Sequence, residues 1–576
     1  MKKTIISFVA LAALTPCLTG CLEEFTPQSS TATAPQVEKA DKAGLSRAIP
    51  SYMLNYSSSN AYDIGFQGMG LWRDAMSADF TVVDPAYDYY SWFSEQVSLG
   101  NYQLQYKYWE RYYGLIQKAN DLLSVADYLT NPDDAQYQGN ALVYRAATYL
   151  DMQRTYEYRL TGVDYLDQQA QSMGIMGLTV PIVDENTTEA DGRNNPRVPY
   201  YTLYRFILND LNTAEKCLTD YRSVPSKTQA SLGTCYGQLA RTWLEIATRF
   251  ERHPDDLATA LAHEADNDIV YPAIGVSTAR EAYAKAADYA RKAINMGYTP
   301  LTKSQWFDTT TGFNTPNNSW MWCITISSSN GAASSCTWQS FISYTSPEAN
   351  FGICTTDYNA ERMIDRRLFE TINPNDWRRA TWIAPDEVAD ETAFNATYSN
   401  VTSLTFNQWK RYPAYVAFKF HPGGGERNIT TIANAVSTPL MRVEEMYLIE
   451  AEATAYAQGL GAGKALLENF MNSYRMEGET YTSTAASLDD FVTELFNCKR
   501  VELWGEGLIL WDYTRLEKAI IRGYMGTNHP EKYQYNSYLN RKAPWATYYI
   551  PDWENQRNPA CKLNPDPSNA IPKWVP

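Results

Sequence analysis

The feature that most constrains this chain is a series of stretches in which apolar residues recur at helical spacing, most of them arranged in pairs. From Tyr102 to Tyr128, the residues Leu104, Tyr108, Leu115, Ala119, Leu122 and Leu123 follow a 3.6-residue period. Asn131-Pro132 breaks that stretch, and Ala141 to Tyr158 supplies a returning helix. A second pair runs from Tyr200 to Leu218 and from Gln229 to Phe250, with Pro225 at the turn and His253-Pro254 as the stop. Arg280 to Met296 places Ala282, Ala286, Tyr289, Ala290 and Ala293 on one side, and Gly297 suits its C-terminal cap. Late in the chain, Thr438-Pro439 predicts an N-cap followed by a first-turn proline. The stripe Leu440, Val443, Tyr447, Ala451 and Thr454 then runs to Gly459. Leu466, Leu467, Phe470 and Tyr474 form its partner, and a last helix starts near Leu488 with Val492, Leu495, Phe496 and Leu503 inward.

Hairpins of this size, rich in small residues, resemble tetratricopeptide repeats, whose period is about 34 residues. Here they are not tandem. Gly65 to Asn101 and Pro300 to Val436 interrupt them with irregular segments rich in aromatic and turn-forming residues. Trp320 to Ile326 and Tyr415 to Phe420 are strand-like runs within the second. The expected fold is therefore mainly α: a tetratricopeptide-like helical-hairpin scaffold with large irregular insertions containing short strands. Long insertions on a rigid scaffold usually carry function.

The N-terminus predicts a destination. Lys2 and Lys3 precede an apolar run from Ile5 to Leu14, too short to span a bilayer, and Leu18-Thr19-Gly20-Cys21 closes it. This resembles a bacterial lipobox, in which the cysteine is acylated and becomes the new N-terminus. Leu22-Glu23-Glu24 and a Thr/Ser/Pro/Ala-rich stretch to about Pro35 read as a flexible tether. Acidic residues after the lipid cysteine resemble the surface-export signal of Bacteroidetes lipoproteins. The predicted organisation is a signal peptide over 1–20, an anchor and tether over 21–38, and one body over 39–576. Within the body, a helical scaffold covers about 39–300 and 437–520, a loop-rich insertion about 300–436, and an irregular C-terminal segment 521–576.

Composition excludes several function classes. The net charge is −16 with no Lys/Arg cluster, which argues against nucleic acid and anionic lipid surfaces. The four histidines, His253, His263, His421 and His529, form no metal-binding spacing. There is no phosphate-binding glycine loop. Gly233-Thr234-Cys235-Tyr236-Gly237 superficially matches a nucleophile elbow, but it lies within a helix-like run rather than between strand and helix. Asp79 and Asp84 are a conceivable carboxylate pair, with sugar-hydroxyl acceptance the commoner use of such residues. With Cys17 removed and Cys21 acylated, seven of nine cysteines remain. Cys323, Cys336 and Cys354 are close enough for one loop disulfide, and the others read as small buried hydrophobes.

A specific resemblance emerges near the C-terminus. In Phe491 to Leu516, the residues Glu494, Arg500, Glu502, Leu503, Gly505, Glu506, Gly507, Trp511, Asp512 and Arg515 resemble the C-terminal signature of the RagB/SusD family. Leu440 to Gly459 resembles the family's preceding helix, and Asn375-Asp376-Trp377-Arg378 its mid-chain Asp-x-Arg element. The early helix around Gly44 to Asn55 departs from the usual pattern. The signature itself reads as structural, with Glu502 and Glu506 one turn apart and Arg500 and Arg515 as partners. The resemblance implies a surface lipoprotein of the outer membrane, without cofactor or catalysis. It would capture oligosaccharides and deliver them to a SusC-like TonB-dependent transporter. A peptide-binding lid of a RagAB-like complex is the alternative, and a surface glycoside hydrolase a more distant one.

Sugars present apolar faces to aromatic rings and hydroxyls to fixed polar groups. Two clusters offer both. Tyr87, Tyr89, Tyr90 and Trp92 lie near Asp84, Asp88 and Asn101. Trp338, Phe341, Tyr344 and Tyr358 lie near Gln339, Asn350 and Asp357. The resemblance implies binding loops in comparable regions. Trp72, Arg73 and Asp74 form a third choice.

Overall fold

The computed structural model describes residues 41–54, 63–83, 100, 103–222, 224, 226–328, 340–355 and 361–576. The leader, Cys21, the tether and Pro225 lie outside the described residues.

The predicted helices form, with shifted ends, and three unpredicted ones, Gly65–Met76, Ile509–Arg515 and Asp552–Arg557, join them. They are α1 (Lys42–Met53), α2 (Gly65–Met76), α3 (Gln103–Leu123), α4 (Ala135–Tyr156), α5 (Tyr200–Cys217), α6 (Leu232–Arg252) and α7 (Ala279–Ile294), followed by α8 (Val443–Gln458), α9 (Leu460–Tyr474), α10 (Leu488–Glu502), α11 (Ile509–Arg515) and α12 (Asp552–Arg557). Local chemistry starts several of them. Ser231 and Ser487 cap α6 and α10 through reciprocal capping boxes, and Thr278 caps α7. His253 closes α6, and Gly297 takes the left-handed conformation (φ 95°) just beyond α7.

From α3 to α9, each of these helices packs on the next. The array continues from α7 to α8 although almost 150 residues separate them in sequence, so the long insertion leaves and re-enters one helical stack. Ala282, Ala286, Ala290 and Ala293 let α7 approach its neighbours closely. At the α8–α9 crossing, Gly463 leaves no room for a side chain, since a Cβ there would lie 2.5 Å from that of Ala455.

Two small antiparallel sheets come from the insertions: β1 (Phe80–Val82) with β3 (Arg362–Ile364), and β2 (Trp320–Ile324) with β4 (Thr438–Arg442). The second corrects the expected start of α8. Thr438-Pro439 does not cap a helix; it lies in β4, Pro439 sits opposite Cys323 at an irregularity in the register, and α8 begins at Val443. A two-stranded sheet consists of edges, where a proline's missing N–H is tolerated. The long-range pairing with β2 outweighs the local capping signal. Gly65 to Met76, expected as irregular insertion, is a helix whose glycines hide it from propensity. Of the three cysteines expected to offer a loop disulfide, Cys323 is a free buried thiol, and Cys336 lies outside the described residues.

The signature carries a buried ionic cluster, with partners other than those expected. Glu502 binds Arg378 (2.6 Å), Arg442 (3.0 Å) and Arg475 (2.8 Å). Glu506 binds Lys419 (2.6 Å) and Arg442 (2.9 Å). Asp376 binds Arg378, so the Asp-x-Arg element and the signature meet at one carboxylate. Arg500 goes instead to Asp79, and Arg515 to Glu452 and Asp512. Burial alone would raise the Glu502 pKa, but the guanidiniums of Arg475, Arg442 and Arg378 hold it well below the usual carboxylate range. Gly505 and Gly507 take positive φ (74° and 71°), and a Cβ on Gly507 would lie 2.4 Å from Gly70 Cα on α2.

Arg378→Met should cost about 3–5 kcal/mol in urea unfolding, because it leaves Asp376 and Glu502 buried and short of a cation. Removing the exposed Arg193–Glu189 pair should leave the midpoint unchanged. Asp512 gives a pH test. Burial would raise its pKa, but Lys499 and Arg515 pull it down to about 2. A carboxylate with a depressed folded pKa adds stability above the unfolded value of about 4 and loses it as pH falls through the folded one. Asp512→Asn should therefore be less stable than wild type at pH 7, with the gap closing between about pH 4 and pH 2.

Candidate functional site

The aromatic segments singled out in the sequence lie mostly outside the described residues: Tyr87, Tyr89, Tyr90, Trp92, Asn101, Trp338 and Tyr358, with Asp84, Asp88, Gln339 and Asp357. Their roots are described, and β1 and β3 bring those roots together. Val82 stands opposite Arg362, Thr81 opposite Met363 and Phe80 opposite Ile364. The chain therefore leaves β1 at Val83 toward the first tyrosine-rich segment at the end of the pair where Glu361 enters β3 from the second. Sequences 280 residues apart are joined at one edge of the body.

The root is rigid. Asp79, just before β1, accepts hydrogen bonds from Arg500 Nε (2.9 Å) and Tyr513 Oη (2.8 Å). Its carbonyl accepts the Trp504 indole N–H (2.8 Å), and the Trp504 ring packs on Phe80 with centroids 5.0 Å apart. The signature thus supports β1 directly, and Asp79 serves as a counter-ion. Arg362 Nε donates to the Tyr344 carbonyl (2.9 Å), tying β3 to the short helix Phe341–Thr345. Glu361 is 1 % exposed, and burial pushes its carboxyl up.

The described members of the second cluster divide. Tyr344 is fully buried, and Phe341 packs edge-on against Phe420 at 5.0 Å. Asn350 is exposed and donates to Asn428 Oδ1 (2.6 Å). Trp72, Arg73 and Asp74 are all buried: Trp72 packs on Tyr108 of α3 with ring centroids 5.0 Å apart, and Arg73 and Asp74 meet the signature turn. Arg73 Nε donates to the Gly507 carbonyl (2.6 Å), and Asp74 accepts the Gly507 N–H (2.9 Å). Among the described residues, no group of His, Cys, Asp and Glu could hold a metal ion.

Sequence reasoning missed a second feature, a cleft of about 410 Å³ between α3, the 181–195 segment and α12. Tyr52, Tyr113 and Trp553 supply its aromatic walls, and Gln117 and Asn195 supply amide groups. Its frame is cross-linked. Trp109 Nε1 donates to Glu554 Oε2 (3.1 Å), and Tyr113 Oη donates to the Pro181 carbonyl (2.8 Å). Asn195 and Asn558 exchange two hydrogen bonds, at 3.0 and 2.7 Å. The Trp109/Tyr113 step, four residues apart on α3, was the available signal; Trp553 sits where sequence suggested only irregular chain.

Comparison with known proteins places this architecture. Residues 296–571 match a model described as the SusD family. Residues 53–244 match one described as starch-binding, associating with outer membrane. No curated protein matches in sequence. A SusD-like carbohydrate binding protein from Bacteroides vulgatus superposes with a TM-score of 0.64 at 19% identity, covering 93% of this chain and 98% of its own. A laminarin binding SusD-like protein gives 0.58 at 16% identity, covering 91% and 98%. The surface glycan-binding protein A from Bacteroides thetaiotaomicron, in complex with laminarihexaose, gives 0.60 at 15% identity, covering 91% and 98%. At these identities the structures establish a shared fold, mainly helical with a tetratricopeptide-like scaffold. The two matched regions, 53–244 and 296–571, cover most of the chain between them and show that it belongs to the SusD-like family.

Proposed function

We propose that this protein is a cell-surface glycan-binding lipoprotein that hands oligosaccharides to a SusC-like TonB-dependent transporter. The observation that carries the reading is the β1–β3 pair, which roots both aromatic-rich segments at one end of a rigid body in a chain of the SusD-like family. The relatives named for laminarin, and solved with laminarihexaose, support a saccharide as ligand.

In this reading, Tyr87, Tyr89, Tyr90, Trp92, Trp338, Tyr344 and Tyr358 contribute the aromatic surface or its support, and Asn101 a hydroxyl partner. Flat rings match the C–H faces of pyranoses, while neutral polar groups hold their hydroxyls. The protein binds its ligand and releases it unchanged. Residues 1–20 are its export leader, Cys21 its acylated anchor and 21–38 its tether to the outer membrane. Among the described residues no helix is long and apolar enough to cross a membrane, so in this reading attachment rests on the acyl chains.

Calorimetric titration of a soluble body beginning at Glu23, against oligosaccharide and oligopeptide panels, tests the ligand class. Trp92→Ala or Trp338→Ala should weaken saccharide binding about tenfold or more, a loss of roughly 1.4 kcal/mol. Unchanged affinity in both variants would refute the loop site, and binding of peptides alone would refute the glycan reading. Cys21→Ser should abolish acylation in cells and move the protein from the membrane to the soluble fraction.

A further inference from the structure

We infer that the cleft between α3, the 181–195 segment and α12 is a second saccharide subsite, taking a neutral sugar ring. The inference rests on the glycan reading above. Four observations lead to it.

The first is shape. The cleft encloses about 410 Å³, within the range of pockets that bury a small ligand. Its frame does not depend on a ligand to form, because the Asn195–Asn558 exchange and the Trp109–Glu554 bond hold the two walls. Tyr52 lies so close over α3 that a Cβ on Gly114 would fall within 2 Å of its hydroxyl (1.9 Å), which sets the ring at the rim.

The second is charge. Every charged group at the cleft already has an internal partner. Glu110 pairs with Lys107 (3.0 Å), Lys118 with Asp121 (3.3 Å), and Glu554 accepts from Trp109 and Asn558. An anionic ligand finds no free cation among the described lining residues, whereas a neutral one disturbs no pair.

The third is the inventory of free polar atoms. Gln117 and Asn195 use their amide N–H groups on Asp121 and the Ile182 carbonyl, which leaves their side-chain oxygens as acceptors. Two neutral acceptors beside aromatic surface suit hydroxyl groups, which donate to them.

The fourth is access. Gly192 lines the opening, and a Cβ there would meet nothing within 4 Å. That position also provides a clean test. Gly192→Trp can fill the mouth without straining the body, and it changes none of the loop residues assigned above.

The experiment titrates laminarihexaose, maltohexaose, cellohexaose and xylohexaose into wild type, Gly192→Trp, Trp553→Phe and Trp92→Ala/Trp338→Ala protein. Hydrogen–deuterium exchange at saturation then locates the contacts. The expected result is ligand-dependent protection of 109–118 and 553–558 in wild type, lost in Gly192→Trp, weakened in Trp553→Phe and retained in the loop variant. Trp553→Phe replaces the indole by a smaller ring and so trims the aromatic wall. Saccharide binding that protects neither segment, or protection that survives Gly192→Trp, overturns the subsite while leaving the loop site standing. Binding of none of the four hexaoses overturns both readings.

Discussion

The rest of the molecule depends on the pairing of buried carboxylates with arginines along α8. This helix is buried nearly all round, yet it carries four glutamates. Glu444 meets Arg442 and Arg475, Glu445 meets Arg241 on α6, Glu450 meets Arg291 on α7, and Glu452 meets Arg515 on α11. A glutamate left alone there would carry a desolvation cost of several kcal/mol. Each guanidinium therefore has a required place, and with it the element that bears it. The adjoining cluster around Glu502 extends the same logic to the Asp-x-Arg element, β4 and the turn after α9. Four cations (Arg378, Arg442, Arg475 and Lys419) face four carboxylates (Asp376, Glu444, Glu502 and Glu506), so the cluster is electrically balanced. Ionic cores of this kind contribute more to the uniqueness of an arrangement than to net stability. That suits a fold whose neighbours in space are far apart in sequence.

The route from this core to the β1–β3 edge is short. Arg500, on the same helix as Glu502, holds Asp79, and Asp79 sits at the foot of β1. Trp504 and Tyr513 complete the support, and β1 fixes the register of β3. A signature that looks remote from the aromatic segments is thereby two contacts from the base of one. Relatives below 20% identity keep the fold over more than nine-tenths of their length, as expected where a scaffold is specified by its interior and the loops vary.

The aromatic content, 14% of the chain, answers two demands. Trp72, Trp109, Trp306, Trp320, Trp382 and Trp504 are among the most deeply buried large side chains, so much of the excess packs the interior. Several also receive cations: Trp306 lies beneath Lys419 at 4.9 Å and Arg442 at 5.7 Å, and so lines the ionic cluster. Counting aromatic residues cannot separate these from rings that face a ligand. Trp553 and Tyr113 line a cleft, while Trp109 on the same helix face as Tyr113 is buried and braces it.

The sequence by itself determined what is local. The stripes of α3 to α7, the cap residues Ser231 and Ser487, the stop at His253 and the glycine beyond α7 all act within a few residues of where they stand. The C-terminal signature was legible as a buried ionic motif for the same reason: Glu, Arg and Gly at close spacing imply pairing and tight turns. Tertiary structure decided the partners. Glu502 took Arg378, Arg442 and Arg475 rather than the nearby Arg500 and Arg515, because Arg500, two residues earlier on α10, turns to Asp79, and Arg515 stands on α11 beside Glu452. Thr438-Pro439 became a strand because β2 lay beside it, and Gly65–Met76 a helix because Gly507 gave its backbone a seat. The joining of two aromatic segments at the β1–β3 edge, and the cleft at Trp553, came from contacts across hundreds of residues. Local periodicity carries no record of such contacts, since they arise only when burial forces distant carboxylates, guanidiniums and rings to share one interior.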